Sequence, residues 1–294
     1  MTTPFTTSFG LEAAAAAAIR EMGHAMNPTV LDRTRGLFAG RHYTSLPEGA
    51  RLVADVAYGE HARQTIDICA LPGGRHPVAL FIPGGGFTGG DKAGYAHIAR
   101  CFARGGFVGV TMNYRLAPDF LFPSGAQDVA AVIDWLAANI EAHGGDPGRI
   151  FVVGQSAGAV HLASALFDAT LQPKALTGVR AAALLSGLYD IRPDMEVPAI
   201  NLYFGNDPAL CRQRSSVHYA PRSALPVLMT IAEHEPPMFA VQGAALLDAL
   251  GRRPGAPPQF AFLRGHNHFS PVLGMGAPGD ELGAAILAEF RRFC

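Results

Sequence analysis

Ile150-Phe151-Val152-Val153-Gly154-Gln155-Ser156-Ala157-Gly158 is the stretch on which the reading of this chain turns. Four β-branched or aromatic residues predict a buried strand, and the apolar run from Ala157 to Thr170 predicts a helix. Between them lies Gly-x-Ser-x-Gly, which in a strand–turn–helix setting is a nucleophile elbow. So tight a turn holds the serine in a strained backbone conformation, and the flanking glycines leave room for the neighbouring strand and helix. The helix that follows brings its free N–H groups and positive dipole end beside Ser156. A plain Gly-Ser turn would not need that strand before it and that helix after it.

Outward from the elbow, short β-rich runs alternate with helical stretches. The runs are Arg51–Ala57, Thr65–Leu71, Val78–Ile82, Phe107–Asn113, Ile150–Val153, Arg180–Leu185, Pro226–Ala232 and Gln259–Leu263. The connection between the first two is too short for a crossover helix, so they are expected to pair antiparallel. Helices are predicted over Lys92–Arg104, Gln127–His143, Ala157–Thr170 and Phe239–Leu250. This alternation gives right-handed crossovers and an α/β fold, an eight-stranded mostly parallel sheet with helices on both faces, as one domain over 1–294. Residues 1–45, with a helix from Leu11 to about Met26, and the Pro-rich, aromatic-bearing stretch 188–221 fall outside the alternation. They are expected to form a small cap or lid, or else to line the sheet edges.

Composition sets the outer limits. With 294 residues, 49% of them hydrophobic, the chain buries a large core and is not disordered. Its 23 basic and 24 acidic side chains balance, which argues against a nucleic-acid partner. Cys69, Cys101, Cys211 and Cys294 are scattered without a CxxC pair, as in reduced thiols rather than a disulfide framework or a zinc site. No run approaches a membrane span, and the alanines 13–18 lack a basic stretch before them, so no membrane association and a cytoplasmic location are expected.

Three more stretches carry chemistry. Ile82-Pro83-Gly84-Gly85-Gly86-Phe87 closes the third predicted strand, and its glycines let backbone N–H groups converge on one point, as an oxyanion hole demands. Gly84, Gly86 and Gly89 also fit G-x-G-x-x-G. A dinucleotide site, however, wants an acidic residue after the next strand, where Thr111-Met112-Asn113-Tyr114-Arg115 has none. Gly90-Asp91-Lys92-Ala93 likewise lacks the ending of a P-loop. No cofactor is expected. Gly265-His266-Asn267-His268-Phe269 follows the last strand, where either histidine can serve as the base for a serine. No nearby carboxylate or cysteine completes a metal shell around the pair, so no metal is expected. Ala232-Glu233-His234-Glu235-Pro236 ends the seventh strand, where an acid would orient the imidazole. His161, one helical turn past the elbow, reads as a packed helix histidine, and Trp135 as core.

Together these residues resemble the hormone-sensitive-lipase-like esterases of the α/β-hydrolase fold, over about residues 50–294. The resemblance rests on Pro83-Gly84-Gly85-Gly86-Phe87, Asn113-Tyr114-Arg115-Leu116-Ala117-Pro118, Gly144-Gly145-Asp146-Pro147, Gly154-Gln155-Ser156-Ala157-Gly158 and His268, in that order. It implies Ser156 as nucleophile, His268 as base and Gly85, Gly86 and Ala157 as oxyanion donors. It matches the acid to Glu235, with Glu233 and Asp190 as the other carboxylates in reach of that role. The chain departs from the family in carrying Pro83 where a histidine is usual, and Glu rather than Asp. Only 79 positions separate Ser156 from Glu235, which leaves room for a short cap.

The implied activity is a serine carboxylesterase acting on a small-molecule ester with short acyl or aryl groups. Phe87, Tyr203, Phe204, Met238 and Phe239 are candidate substrate-binding residues, with Phe120 and Phe122 nearby. All of these are also plausible core residues. An arylformamidase-like amidase shares the glycine loop and the elbow, and a catalytically dead fold acting as a small-molecule receptor is a third reading. A homodimer would form through a sheet edge or the last predicted helix, Asp280–Phe290.

Overall fold

The alternation in the sequence becomes one twisted sheet in the computed structural model, which describes residues 7–195, 197–253 and 257–294. Its strands are β1 (Thr7–Gly10), β2 (Arg51–Ala57), β3 (Thr65–Ala70), β4 (His76–Ile82), β5 (Val108–Met112), β6 (Gly145–Gln155), β7 (Val179–Leu185), β8 (Val227–His234) and β9 (Gln259–Asn267). They lie in the order β1-β9-β8-β7-β6-β4-β5-β3-β2. From β1 to β5 every neighbour is parallel, and β3 and β2 complete the sheet antiparallel. The eight strands expected from the sequence are all present, and β1 adds a ninth beside β9, in register from Thr7 with Ala261 to Gly10 with Arg264. Four residues are too few to show a strand's period of two, which is why this one is silent in the sequence.

The helices are α1 (Ala13–Met22), α2 (Pro28–Phe38), α3 (Ala96–Arg104), α4 (Ser124–Asn139), α5 (Ala157–Phe167), α6 (Pro198–Phe204), α7 (Pro208–Gln213), α8 (Met238–Gly251), α9 (Ser270–Leu273) and α10 (Glu281–Arg291). Successive residues of a strand point to opposite faces, so a strand covered on both sides must be apolar throughout. Val78, Leu80 and Ile82 of β4, with Ile150 and Val152 of β6, face the layer that includes α4, α5 and α8. Ala79, Phe81, Phe151 and Val153 face α3 and α10, among them Ile98, Phe102, Ile286 and Phe290. At the far edge β2 is mostly exposed and bulged between Val53 and Val56.

Two segments lie outside these layers. Of the stretches expected to form a cap, residues 1–6 and 196 fall outside the described residues. From residue 7 on, the N-terminal segment adds β1 to the sheet edge, and α1 and α2 lie by β9 and α9. The insertion after β7 supplies α6 and α7. Leu188, Ile191, Ile200, Tyr203, Phe204 and Cys211 from it form a separate apolar cluster with Phe87, Ala157, Val160 and Phe239. Crossover topology therefore leaves the loops after β4, β6, β7, β8 and β9 at one end of the sheet, where sites in open parallel sheets are built.

Candidate active site

The tightest point at that end is the turn after β6. Ser156 has φ 53° and ψ −123°, a conformation a side chain adopts only when its surroundings impose it. The surroundings here are backbone. A Cβ on Gly158 would stand 2.2 Å from the Ile82 carbonyl oxygen, and one on Gly154 would stand 2.7 Å from the Gly158 carbonyl oxygen. Ser156 occupies the N-cap of α5, yet its side chain makes no capping hydrogen bond. Its hydroxyl lies 2.8 Å from His268 Nε2 instead.

His268 completes a chain of three. Its Nδ1 is 2.9 Å from Glu235 Oε2, in a pair that is almost wholly buried. An ionised carboxylate only accepts, so Nδ1 carries the proton and Nε2 presents its lone pair to Ser156. Glu235 is fixed in turn, because its Oε1 accepts the Ala232 N–H at 2.8 Å and the Ser186 hydroxyl at 3.1 Å. The Phe239 ring lies 4.3 Å from the imidazole, and Gln155 Nε2 donates to the His268 carbonyl at 3.0 Å. The arrangement is a hydroxyl facing the lone pair of an imidazole whose other nitrogen is held by a carboxylate, the geometry that nucleophilic catalysis by a serine requires.

The other candidates have other partners. Glu233 is 42% exposed at its side chain and accepts the Gly265 N–H at 2.7 Å, which ties the ends of β8 and β9 together. Asp190 is held through its backbone, with its N–H and carbonyl both bonded to the Gln242 amide. His266 turns away from the serine to Ser270 Oγ at 3.0 Å, and burial pushes its pKa down to about 4.

The glycine loop lies against the elbow. A Cβ on Gly84 would come 3.0 Å from Ser156 Cβ and 2.3 Å from Gln155 Oε1. The loop then folds back on itself, with Gly89 N–H donating to the Gly85 carbonyl at 2.9 Å and Gly85, Gly86 and Phe87 all at positive φ. At its start the Pro83 carbonyl accepts the hydroxyl of the buried Tyr114 at 2.9 Å. Arg63 bridges from the other side, donating to the Gly90 carbonyl at 2.7 Å and the Tyr114 carbonyl at 2.8 Å. Gly84 is thus the loop residue against Ser156, Gly85 and Gly86 follow it in the turn, and Ala157 opens α5 directly after the serine.

Of the aromatic candidates, Phe87, Tyr203, Phe204 and Phe239 are buried, while Met238 is half-buried at the start of α8. Phe87 stacks on Tyr203 at 4.7 Å with 7° between the ring planes, and Phe204 meets both rings edge-on. His161 lies inside this cluster, its ring 5.4 Å from Phe87 and 4.7 Å from Tyr114, and burial pushes its pKa down to about 3. Sequence reasoning missed Ser186, Gln155 and Arg63. Ser186 alone left a trace, as the polar residue that follows the apolar run Ala181–Leu185. Among the described residues no three His, Cys, Asp or Glu side chains are grouped so as to hold a metal ion, and no helix is long and apolar enough to cross a membrane.

Comparison with known proteins points the same way. The family profile described as the alpha/beta hydrolase fold matches residues 79–250. Esterase LipQ of Mycobacterium tuberculosis is 31% identical over 242 residues, covering 74% of this chain and 57% of that protein. Esterase LipC of the same organism is 30% identical over 256 residues, covering 79% and 63%. The chain thus spans less than two thirds of the length of these curated relatives. Among solved structures, a hyperthermophilic esterase from the archaeon Pyrobaculum calidifontis superposes with a TM-score of 0.73 at 20% identity, covering 97% of this chain and 99% of that one. Esterase B of Lactobacillus rhamnosis gives 0.72 at 20%, covering 95% and 96%. At that identity the two structures speak to the fold alone.

Proposed function

The chain belongs to the hormone-sensitive-lipase-like family of the α/β-hydrolase fold, and from that premise we propose that it is a serine carboxylesterase with a Ser156–His268–Glu235 triad. The observation that carries the reading is the buried hydrogen-bond chain from Ser156 Oγ through both ring nitrogens of His268 to Glu235. Ser156 Oγ attacks the ester carbonyl as His268 Nε2 takes its proton, and the Gly85, Gly86 and Ala157 N–H groups receive the oxyanion. His268 passes the proton to the departing alkoxide, which leaves an acyl-Ser156. A water then attacks with His268 again as base, and the acid is released. Glu235 stabilises the imidazolium in both halves of the cycle.

The apolar cluster beside the elbow supports a substrate class. Phe87 packs with Tyr203 and Phe204 of the insertion in one apolar cluster with Ala157 and Val160 of α5, Met238 packs against that cluster, and the cluster's Phe239 ring lies beside His268. An apolar, closely filled surround of this kind suits short acyl or aryl esters. The curated relatives named as esterases support the reaction type. The test is steady-state hydrolysis of p-nitrophenyl acetate, butyrate and octanoate by the wild type and by Ser156→Ala. The expected result is cleavage of acetate and butyrate well above octanoate, with Ser156→Ala lower by at least about a thousandfold. Equal rates for the two proteins would remove Ser156 as nucleophile and turn attention to N-formyl anilides.

A further inference from the structure

The base and the acid of this proposed site sit on the loops after β9 and β8, and both loops are tied to the N-terminal segment. Asn267, fully buried, directly precedes His268. Its Oδ1 accepts the N–H groups of Phe269 and Ser270, both at 3.0 Å, so the backbone is curled around His268. With its oxygen used in this way, the Asn267 amide, buried from bulk solvent, must find acceptors for its N–H groups within the protein. Nδ2 donates to Thr34 Oγ1 at 2.8 Å, across 233 positions of sequence.

Thr34 is equally buried, on the inner face of α2. Its own proton goes to the Val30 carbonyl one turn back at 2.7 Å, which leaves its oxygen to accept from Asn267. Helix, threonine, amide and histidine loop therefore form one directed series of hydrogen bonds. Rotating the Asn267 amide would break its three side-chain bonds together. A second tie reaches the acid, where His24 between α1 and α2 donates through Nδ1 to the Glu235 carbonyl at 3.2 Å.

We infer that Thr34 and Asn267 are positioning residues for His268, and that with His24 they make the N-terminal segment a brace that sets the Ser156–His268–Glu235 alignment. This deepens, and rests on, the triad reading given above. The bonds at His268 hold only while its backbone stays in place, and misplacement of a catalytic group by about 1 Å costs roughly a hundredfold in rate.

Thr34→Val keeps the side chain's shape and deletes the acceptor, whereas Thr34→Ser keeps the acceptor and deletes a methyl. The two are compared by kcat and KM on p-nitrophenyl butyrate, by Tm, and by the low-field proton NMR line of the His268 Nδ1–H. That line is identified by its loss in His268→Asn. Thr34→Val is expected to lower kcat by about 10- to 100-fold with KM changed less than about twofold, and to shift or broaden the low-field line. Thr34→Ser is expected to hold kcat within about threefold and keep the line, even if its Tm falls as far. Wild-type kcat and an unmoved line in Thr34→Val would overturn the inference, as would a parallel loss in both variants that tracks Tm. Should Thr34→Val not fold, His24→Ala at its exposed position decides, with a lowered kcat at unchanged KM expected and a wild-type kcat overturning. If Ser156→Ala matches the wild type, the nucleophile reading fails. The low-field line in Thr34→Val then still decides the brace, since it reports the His268–Glu235 bond and not turnover.

Discussion

Replacing Glu235 with Gln changes few atoms, and the hydrogen bonds around it fix which way the new amide must face. Oε1 of Glu235 receives two donors, the Ala232 N–H at 2.8 Å and the Ser186 hydroxyl at 3.1 Å. The amide oxygen of a glutamine has to occupy that position, because an NH2 group there would meet a backbone N–H head-on. The NH2 group is thereby directed at His268 Nδ1, now 2.9 Å from Oε2. Facing a donor, the imidazole presents its Nδ1 lone pair and moves its proton to Nε2, beside Ser156, where it can no longer accept the serine proton. The same inversion in a serine protease triad lowers kcat by about ten-thousandfold, which corresponds to about 5.4 kcal/mol of transition-state stabilisation. Glu235→Gln is expected to lose that much kcat on p-nitrophenyl butyrate at neutral pH, with KM little changed. Glu235→Asp keeps the charge but falls one methylene short of His268, and is expected to lose less. A Glu235→Gln enzyme within about tenfold of the wild type, at unaltered Tm, would refute the tautomer reasoning.

Two further expectations concern stability. Asp128 is fully buried and accepts from Gln64 Nε2 at 2.8 Å, from the Arg115 backbone N–H at 2.8 Å and from the Arg115 guanidinium. Asp128→Asn leaves that guanidinium without its counter-charge and is expected to cost about 3 kcal/mol in urea unfolding, at the low end for a broken buried pair because Arg115 still reaches water. A loss below about 1 kcal/mol would contradict this. Burial also pushes the pKa of His97 and of His266 down to about 4 and that of His161 to about 3, while all three return to about 6.5 on unfolding. Between those values the unfolded chain binds protons that the folded one refuses, so stability is full above about pH 6.5 and falls as the pH drops toward 4. Each histidine contributes roughly 1–2 kcal/mol of that loss by pH 5, visible as a lower denaturant midpoint than at pH 7.5. Equal midpoints would show that these imidazoles are not held neutral.

What was legible in the sequence is what depends on local pattern. The unbroken apolar runs of β4 and β6, the glycines around Ser156 and the loop lengths between runs are local facts, and from them come the sheet, its direction and the end at which the loops gather. Ser156, His268 and Glu235 stood out because each closes a strand. The roles of Thr34, Arg63 and Tyr114 were not legible, since a threonine inside a helix looks the same whether it caps its own turn or also meets an asparagine 233 positions away. The aromatic residues 87, 203 and 204 were legible as a group near the strand ends. Their stacking into one another, and how little of each is left accessible, follows only from tertiary packing.

The pairing of β1 with β9 sets an order of events in time. Thr7–Gly10 are synthesised before the other strands of the sheet, and their partners Ala261–Arg264 come more than 250 residues later. At ordinary rates of synthesis that interval is on the order of tens of seconds. Throughout it the first strand has no edge to join, and Thr34 has no Asn267 to receive. Meanwhile β2 to β7, which neighbour one another in the finished sheet, have all been synthesised. A ribosome-bound chain halted before β9 would therefore hold an elbow, a glycine loop and a serine, but neither Asn267 nor His268. Closure of an early segment on a late one makes the Asn267–Thr34 bond, next to His268 in the chain, one of the late hydrogen bonds of the fold.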